Sequence, residues 1–178
     1  AQSEAFSGRA FSRYWLHNGF VNINDEKMSK SLGNFLTLRD IAKTADDARA
    51  LRYLAVTSYY RSTLNFSAQT FAAAKSTVRR LTALVHRLHD MVDSGAPTAA
   101  ADAAAMEELV GDARRRFVAA MDDDLNTPRA IAAVFELLSA CDAHLTGADA
   151  ARRLLEFVGG DVDKVLGLFY EAEVEAQG

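Results

Sequence analysis

The run from Asp25 to Phe35, DEKMSKSLGNF, brings together two lysines, two serines and a glycine. Lys27 and Lys30 stand three apart, so a curled backbone would turn both ammonium groups toward one anion. Lysine carries a compact charge on a flexible stem, which suits a phosphate group in a site that opens and closes. Ser29 and Ser31 add hydroxyl donors, and Gly33 permits the left-handed backbone that a tight curl needs. In phosphoryl or nucleotidyl transfer, cations placed in this way stabilise charge developing on a departing pyrophosphate. The same composition also suits a solvated surface turn, and residue types alone leave both readings open.

The elements around this run must position it. Ser3 to His17 is predicted as a helix, with Phe6, Ala10, Tyr14 and His17 at helical spacing. Phe11 and Trp15 beside them read as core rather than as platforms for stacked bases. Asn18-Gly19 is a stop signal. Phe20 to Asn24 alternates in part and reads as a short strand, the only convincing one, leading directly into the loop. Thr37 and Asp40 are spaced as a capping box, and Asp46 or Asp47 is expected to cap the next helix, with Leu51, Leu54, Ala55 and Tyr59 on one face. Ser67 opens a long helix striped by Phe71, Val78, Leu81, Val85, Leu88 and Val92, which ends at the linker Asp93 to Pro97. A further helix is expected from about Ala99 to Met121. Thr127 then caps another, with Pro128 first and Ile131, Val134, Phe135 and Leu138 apolar. A shorter helix, Ala148 to Val158, is stopped by Gly159-Gly160, and Asp161 starts a last one with Val165, Leu166 and Phe169 apolar.

Long helices with short connections predict a mainly α protein: a small α/β segment with the lysine loop, followed by an antiparallel helical bundle. The 178 residues are 49% hydrophobic, enough for a core, and the net charge of -4 means that a polyanionic partner must be met by local patches. The single cysteine, Cys141, excludes an internal disulfide and reads as a small buried hydrophobe. No run is apolar and long enough to span a bilayer and no signal-peptide pattern opens the chain, so the expected compartment is the cytoplasm. The chain begins with Ala1, inside an amphipathic pattern, which suggests a fragment or a processed product.

Lys27-Met28-Ser29-Lys30-Ser31 spells KMSKS, the signature of class I aminoacyl-tRNA synthetases. YWLHNGFVNINDEKMSKSLGNFLTLRDI, ALRYLAVTSYYRSTLNFS and MDDDLNTPRAIAAVFEL together resemble cysteinyl-tRNA synthetase, in the order that family shows. The resemblance implies that Lys30 contacts the ATP phosphates during adenylate formation, that Lys27 supports it, and that Met28, Ser29 and Ser31 shape the loop around ATP. It implies three segments: 1–45, the end of a catalytic domain with the loop and the start of a stem-contact fold; 46–66, a stem-contact helix; and 67–178, a DALR-type helical bundle. Ala50-Leu51-Arg52 is the local DALR-like match. The implied partners are cysteine tRNA, ATP with Mg²⁺, and a missing N-terminal half carrying the HIGH motif and the zinc ligands, both absent here. Alone, the chain is expected to be inactive. Tyr59-Tyr60-Arg61-Ser62-Thr63 departs from the family's usual His-Tyr-Arg-Ser-Pro, which leaves Arg61 as an RNA or scaffold contact. Two other readings are a fragment of the related ligase that couples cysteine to an amino sugar in mycothiol synthesis, and a stand-alone, non-enzymatic RNA- or protein-binding paralogue.

Other clusters have plainer readings. Arg79-Arg80, Arg114-Arg115-Arg116 and Arg152-Arg153 would form a phosphate groove or a solvated helix surface. His17, His86, His89 and His144 lack metal-ligand spacing. Asp122-Asp123-Asp124 would bind Mg²⁺ or serve as a loop and cap.

Overall fold

The partial alternation of Phe20 to Asn24 produces strand β1 (Val21–Ile23) in a computed structural model that describes residues 2–169. Residues 1 and 170–178, which fall in the first and last expected segments, lie outside the described residues. β1 turns through Asn24 and Asp25, at φ 51° and 66°, into the antiparallel β2 (Glu26–Lys27). Two left-handed residues match the twist of the flanking strands, and Asn and Asp tolerate that conformation better than most side chains. β3 (Leu64–Phe66) lies parallel on the other side of β1, giving the order β2-β1-β3. The expectation of a single strand is therefore corrected. β2 and β3 are too short to show a period.

The first predicted helix is also corrected. α1 spans only Gln2–Ser7 and ends at Gly8, at φ 64°. Phe11 and Trp15 are not core: they are 63% and 68% exposed, and their rings pack on each other with centroids 5.8 Å apart. A short amphipathic helix is held by the surface it buries against, and residues 9–20 present their aromatic side chains to solvent instead.

α2 (Leu38–Ile41) starts with the expected capping box, both halves formed by Thr37 and Asp40. α3 (Ala45–Val56) is capped by Thr44; Asp47 is the reciprocal third residue of that box rather than the cap, and Asp46 is not the cap either. Its inner face centres on the buried Ala50 and Asp47, while Ala55 is exposed. α4 (Ala68–Ser94) follows a Ser67 capping box and buries Val78, Leu81, Val85 and Leu88, as the stripe predicts, before ending on Gly95 at φ 63°.

α5 (Ala100–Asp122) and α6 (Thr127–Ala140) follow, but the cap of α6 is Asn126, whose side chain accepts the Arg129 N–H; Thr127 is already helical. Cys141–His144 form a 3₁₀ turn. α7 (Ala148–Leu155) is not stopped by Gly159-Gly160. The chain widens into a π-helical segment, Glu156–Val162, and continues into α8 (Asp163–Leu166), which ends on Gly167 at φ 62°. A glycine stop works through the left-handed conformation, which neither Gly159 nor Gly160 adopts, and buried Phe157, Val158 and Val162 hold the wide turn in place. Leu166 and Phe169 are buried as expected, whereas Val165 is 54% exposed.

α4 packs on α3 and α7, and α5 packs on α6 and α7. One continuous core joins Leu81, Val85 and Leu88 of α4 to Met106 and Phe117 of α5, Val134 and Leu137 of α6, and Leu154 of α7. Gly147 leaves the N-terminus of α7 without a side-chain cap of its own, and Thr98 supplies one from a distance by accepting the N–H groups of Asp149 and Ala150. Cys141 is buried as expected, and burial pushes its thiol pKa up to about 11.

Candidate nucleotide-binding loop

The hairpin turn sets the direction in which the lysine loop leaves the sheet. Asp25 donates its N–H to Asn65 Oδ1 at 2.9 Å, and Asn65 Nδ2 returns a bond to Asp25 Oδ1 at 2.6 Å. The Asn24 N–H donates to the Phe66 carbonyl at 3.0 Å, so β3 grips the turn from the side. Met28 N–H donates to the Val21 carbonyl at 3.2 Å and carries the pairing one residue into the loop.

Beyond Met28 the backbone curls, and Asn34 fastens the curl. Its Oδ1 accepts the Ser29 N–H at 2.8 Å while its Nδ2 donates to the Lys27 carbonyl at 3.2 Å. The Ser29 hydroxyl accepts the Leu32 N–H at 3.2 Å and shares a 3.1 Å hydrogen bond with the Ser31 hydroxyl. Gly33, at φ 68°, donates its N–H to the Lys30 carbonyl. The serines thus shape the loop through internal bonds. Asn34 does the same work and was missed by the sequence reading, because an Asn beside a glycine reads as an ordinary turn residue.

Lys27 and Lys30 are exposed. Among the described residues neither ammonium is held by a carboxylate; Lys27 Nζ lies 4.5 Å from the Phe20 ring centroid and Lys30 Nζ 5.5 Å from that of Phe35. A cation resting on a ring face keeps its N–H donors available to a further ligand. The loop therefore offers two cations on a fixed backbone to an anion arriving from solvent.

Two of the three arginine clusters are committed to carboxylates instead. Arg114 meets Asp161 at 2.6 Å, Arg115 meets Asp112 at 3.1 Å, and Arg116 pairs with Glu136. Arg152 meets Asp149 at 2.7 Å and Arg153 pairs with Glu107, while Arg79 and Arg80 are exposed on α4. This is the arrangement of a salt-laced helix surface rather than of a prepared phosphate groove. His144 Nδ1 lies 3.0 Å from Asp102, which also accepts the Thr146 hydroxyl. Among the described residues no three His, Cys, Asp or Glu side chains come together to hold a metal ion.

The acidic run belongs to the α5–α6 connection. Asp123 faces Arg129 at 3.5 Å. Asp124 accepts a hydrogen bond from the Tyr59 hydroxyl, one from the Tyr60 hydroxyl at 2.8 Å, and two from Arg61, through Nε at 2.7 Å and an Nη at 3.1 Å. Arg61, followed by Tyr59 and Tyr60, holds the Asp124 carboxyl well below the usual carboxylate range. The same bonds push the Arg61 guanidinium and both phenol pKa values upward. Arg61 is a scaffold contact in this structure.

Comparison with known proteins places these pieces. Residues 1–76, which contain the whole lysine loop, match the C-terminal segment of the family described as tRNA synthetases class I (C) catalytic domain, and residues 116–170 match the DALR domain. The chain is similar to cysteine–tRNA ligases from Oenococcus oeni (37% identity over 95% of the chain and 35% of that protein), Geobacter sp. strain M21 (44%, 93% and 34%) and Clostridioides difficile strain 630 (45%, 77% and 30%). The chain belongs to the cysteine–tRNA ligase family. It spans about a third of the length of these curated relatives. Within this family chain, Ala50-Leu51-Arg52 lies in the span matched to the synthetase catalytic domain, whereas Asp124 and α6 lie in the DALR span. No helix among the described residues is long and apolar enough to cross a membrane.

Proposed function

We propose that this chain acts as part of a cysteine–tRNA ligase, in which cysteine is activated with ATP and transferred to its tRNA. It would supply the phosphate-contacting loop and a helical support for the tRNA. The reading rests on one observation above all: a loop fastened by Asn34 and gripped by β3 that presents two exposed, carboxylate-free lysines. ATP, when bound, supplies the leaving pyrophosphate. Lys30 meets the charge that develops on those phosphates, and Lys27 raises the local positive potential beside it. Ser29 and Ser31 keep the curl between the two lysines, and Met28 extends the β pairing at the base of the loop. Because the loop backbone is already fastened, less reorganisation would accompany the reaction, which is where such groups gain their effect. Among the described residues no cluster of ligating side chains fits a zinc site.

Cysteine-dependent ATP–pyrophosphate exchange, measured with this chain joined to a family N-terminal catalytic half, tests the proposal. Lys30→Ala is expected to lower kcat by about two to three orders of magnitude, the usual effect of removing one such donor, while circular dichroism stays unchanged. Retention of the wild-type rate would remove Lys30 from the reaction. A joined enzyme that charges an amino sugar and not tRNA would move the chain to the mycothiol ligase.

A further inference from the structure

The four hydrogen bonds on Asp124 connect two parts of the chain that sequence keeps 63 to 65 residues apart. On one side stands the α5–α6 connection, where Asp124 and Leu125 are both left-handed, at φ 53° and 52°. Asp124 tolerates such a conformation, but Leu125 is strained in it, so neighbouring contacts must hold the pair. This conformation aims the Asp124 carboxylate away from the helix pair and toward the turn 59–61.

On the other side, that turn is bonded directly to the sheet. The Tyr60 carbonyl accepts the Gly19 N–H at 2.7 Å, and the Leu64 N–H donates to the Phe20 carbonyl at 2.9 Å. Gly19 is pressed so closely against Ser62 that a Cβ there would stand 2.1 Å from the Ser62 carbonyl oxygen. Phe20 in turn lies under Lys27, and β1 pairs with β2 at the base of the loop. A continuous path of hydrogen bonds and tight contacts therefore runs from Asp124 through Tyr60 and Gly19 to Lys27.

We infer that Asp124 is a positioning residue for the lysine loop: its carboxylate latches the sheet that carries Lys27 and Lys30 to the helical bundle. The inference rests on the proposed function for its kinetic meaning, but its geometric content stands on the chain alone. Four donors from three neighbouring residues on one carboxylate fix rotation as well as distance, which a single ion pair would leave free. A misplacement of about 1 Å at a reacting centre is enough to cost up to a hundredfold in rate, so a latch remote from the chemistry has leverage over it.

Two measurements test the latch. In the 178-residue chain, residual dipolar couplings of the β1, β2 and β3 amides and of the α5 and α6 amides are expected to share one alignment tensor. In Asp124→Asn the sheet and the bundle are expected to need separate tensors. In the joined ligase, Asp124→Asn and Arg61→Lys are each expected to lower kcat for ATP–pyrophosphate exchange by about tenfold, leaving KM for cysteine unchanged. Asp124→Glu should recover part of the loss. Glu136→Gln, which removes an ion pair with Arg116 in the same bundle, should leave both constants at wild-type values. A single tensor in Asp124→Asn, or a lowered melting temperature with wild-type kcat well below melting, would overturn the latch. If the wild-type joined protein shows no cysteine-dependent exchange, the proposed function fails, and the couplings still decide whether the latch exists.

Discussion

The Asp47 carboxylate accepts the N–H groups of Lys43 and Thr44 and pairs with the Lys75 ammonium, which ties the start of α3 to α4. These bonds, with Lys75 foremost, lower its pKa from 3.8 to about 2 against the opposing effect of burial. A group whose folded pKa is depressed adds stability above its unfolded pKa and loses it as pH falls through the folded value. The wild-type melting temperature should therefore drop between pH 4 and pH 2 more steeply than that of Asp47→Asn, the two curves converging at the acid end. Parallel curves would show that Asp47 contributes no charge-dependent stability. At this scale the sequence was readable wherever chemistry is local: KMSKS announced its cations, and Thr37 with Asp40 announced a cap. Asp124 was not readable. Its partners lie more than sixty residues away, and its direction depends on two left-handed residues that no spacing rule anticipates.

Among the elements, long helices with a clear stripe were legible, because one buried face repeated over many turns leaves a period in the sequence. α4 shows this, and its termini, like those of α5, lie within a residue or two of expectation. β2 and β3 were illegible because two or three residues carry no period, and the π-helical continuation of α7 because buried Phe157, Val158 and Val162 outweigh the Gly-Gly signal. Gly19 was read as part of a helix stop, but the helix already ends at Ser7. Gly19 has no positive φ; its lack of a side chain lets β1 and the turn 59–62 approach. Gly19→Ala would force two backbone segments apart, at a cost of roughly 1–3 kcal/mol, the usual range for overpacking. Chemical denaturation should show this loss together with faster exchange of the Leu64 amide. Gly33→Ala is the contrasting case: a Cβ there meets nothing within 4 Å, and only the left-handed φ is strained. It should destabilise the loop without accelerating Leu64. Equal effects at the two glycines would mean that the close approach at Gly19 does not hold the sheet together.

For the whole molecule, the sequence pattern was right about a small mixed segment leading into a helical bundle and wrong about the first twenty residues, for one physical reason. An aromatic-rich amphipathic stretch signals that it buries against something, and the pattern cannot say whether that surface lies in the same chain. Here Phe6, Phe11, Tyr14, Trp15, Leu16 and Phe20 are all more than half exposed. So many exposed large apolar side chains in one stretch, with Phe11 and Trp15 in ring contact, mark a contact in which the aromatic groups leave water. On the proposed function, the contact is the catalytic half that precedes this segment. Trp15 is the only tryptophan in the chain, so its fluorescence reports on this surface without interference. In the chain by itself, iodide should quench Trp15 nearly as well in buffer as in concentrated urea. Joined to the catalytic half, the folded protein should resist quenching, and unfolding should restore it. Protection of Trp15 in the chain alone would place the aromatic stretch against the bundle or a second copy of the chain. Full quenching in the joined protein would show that the catalytic half does not cover this surface.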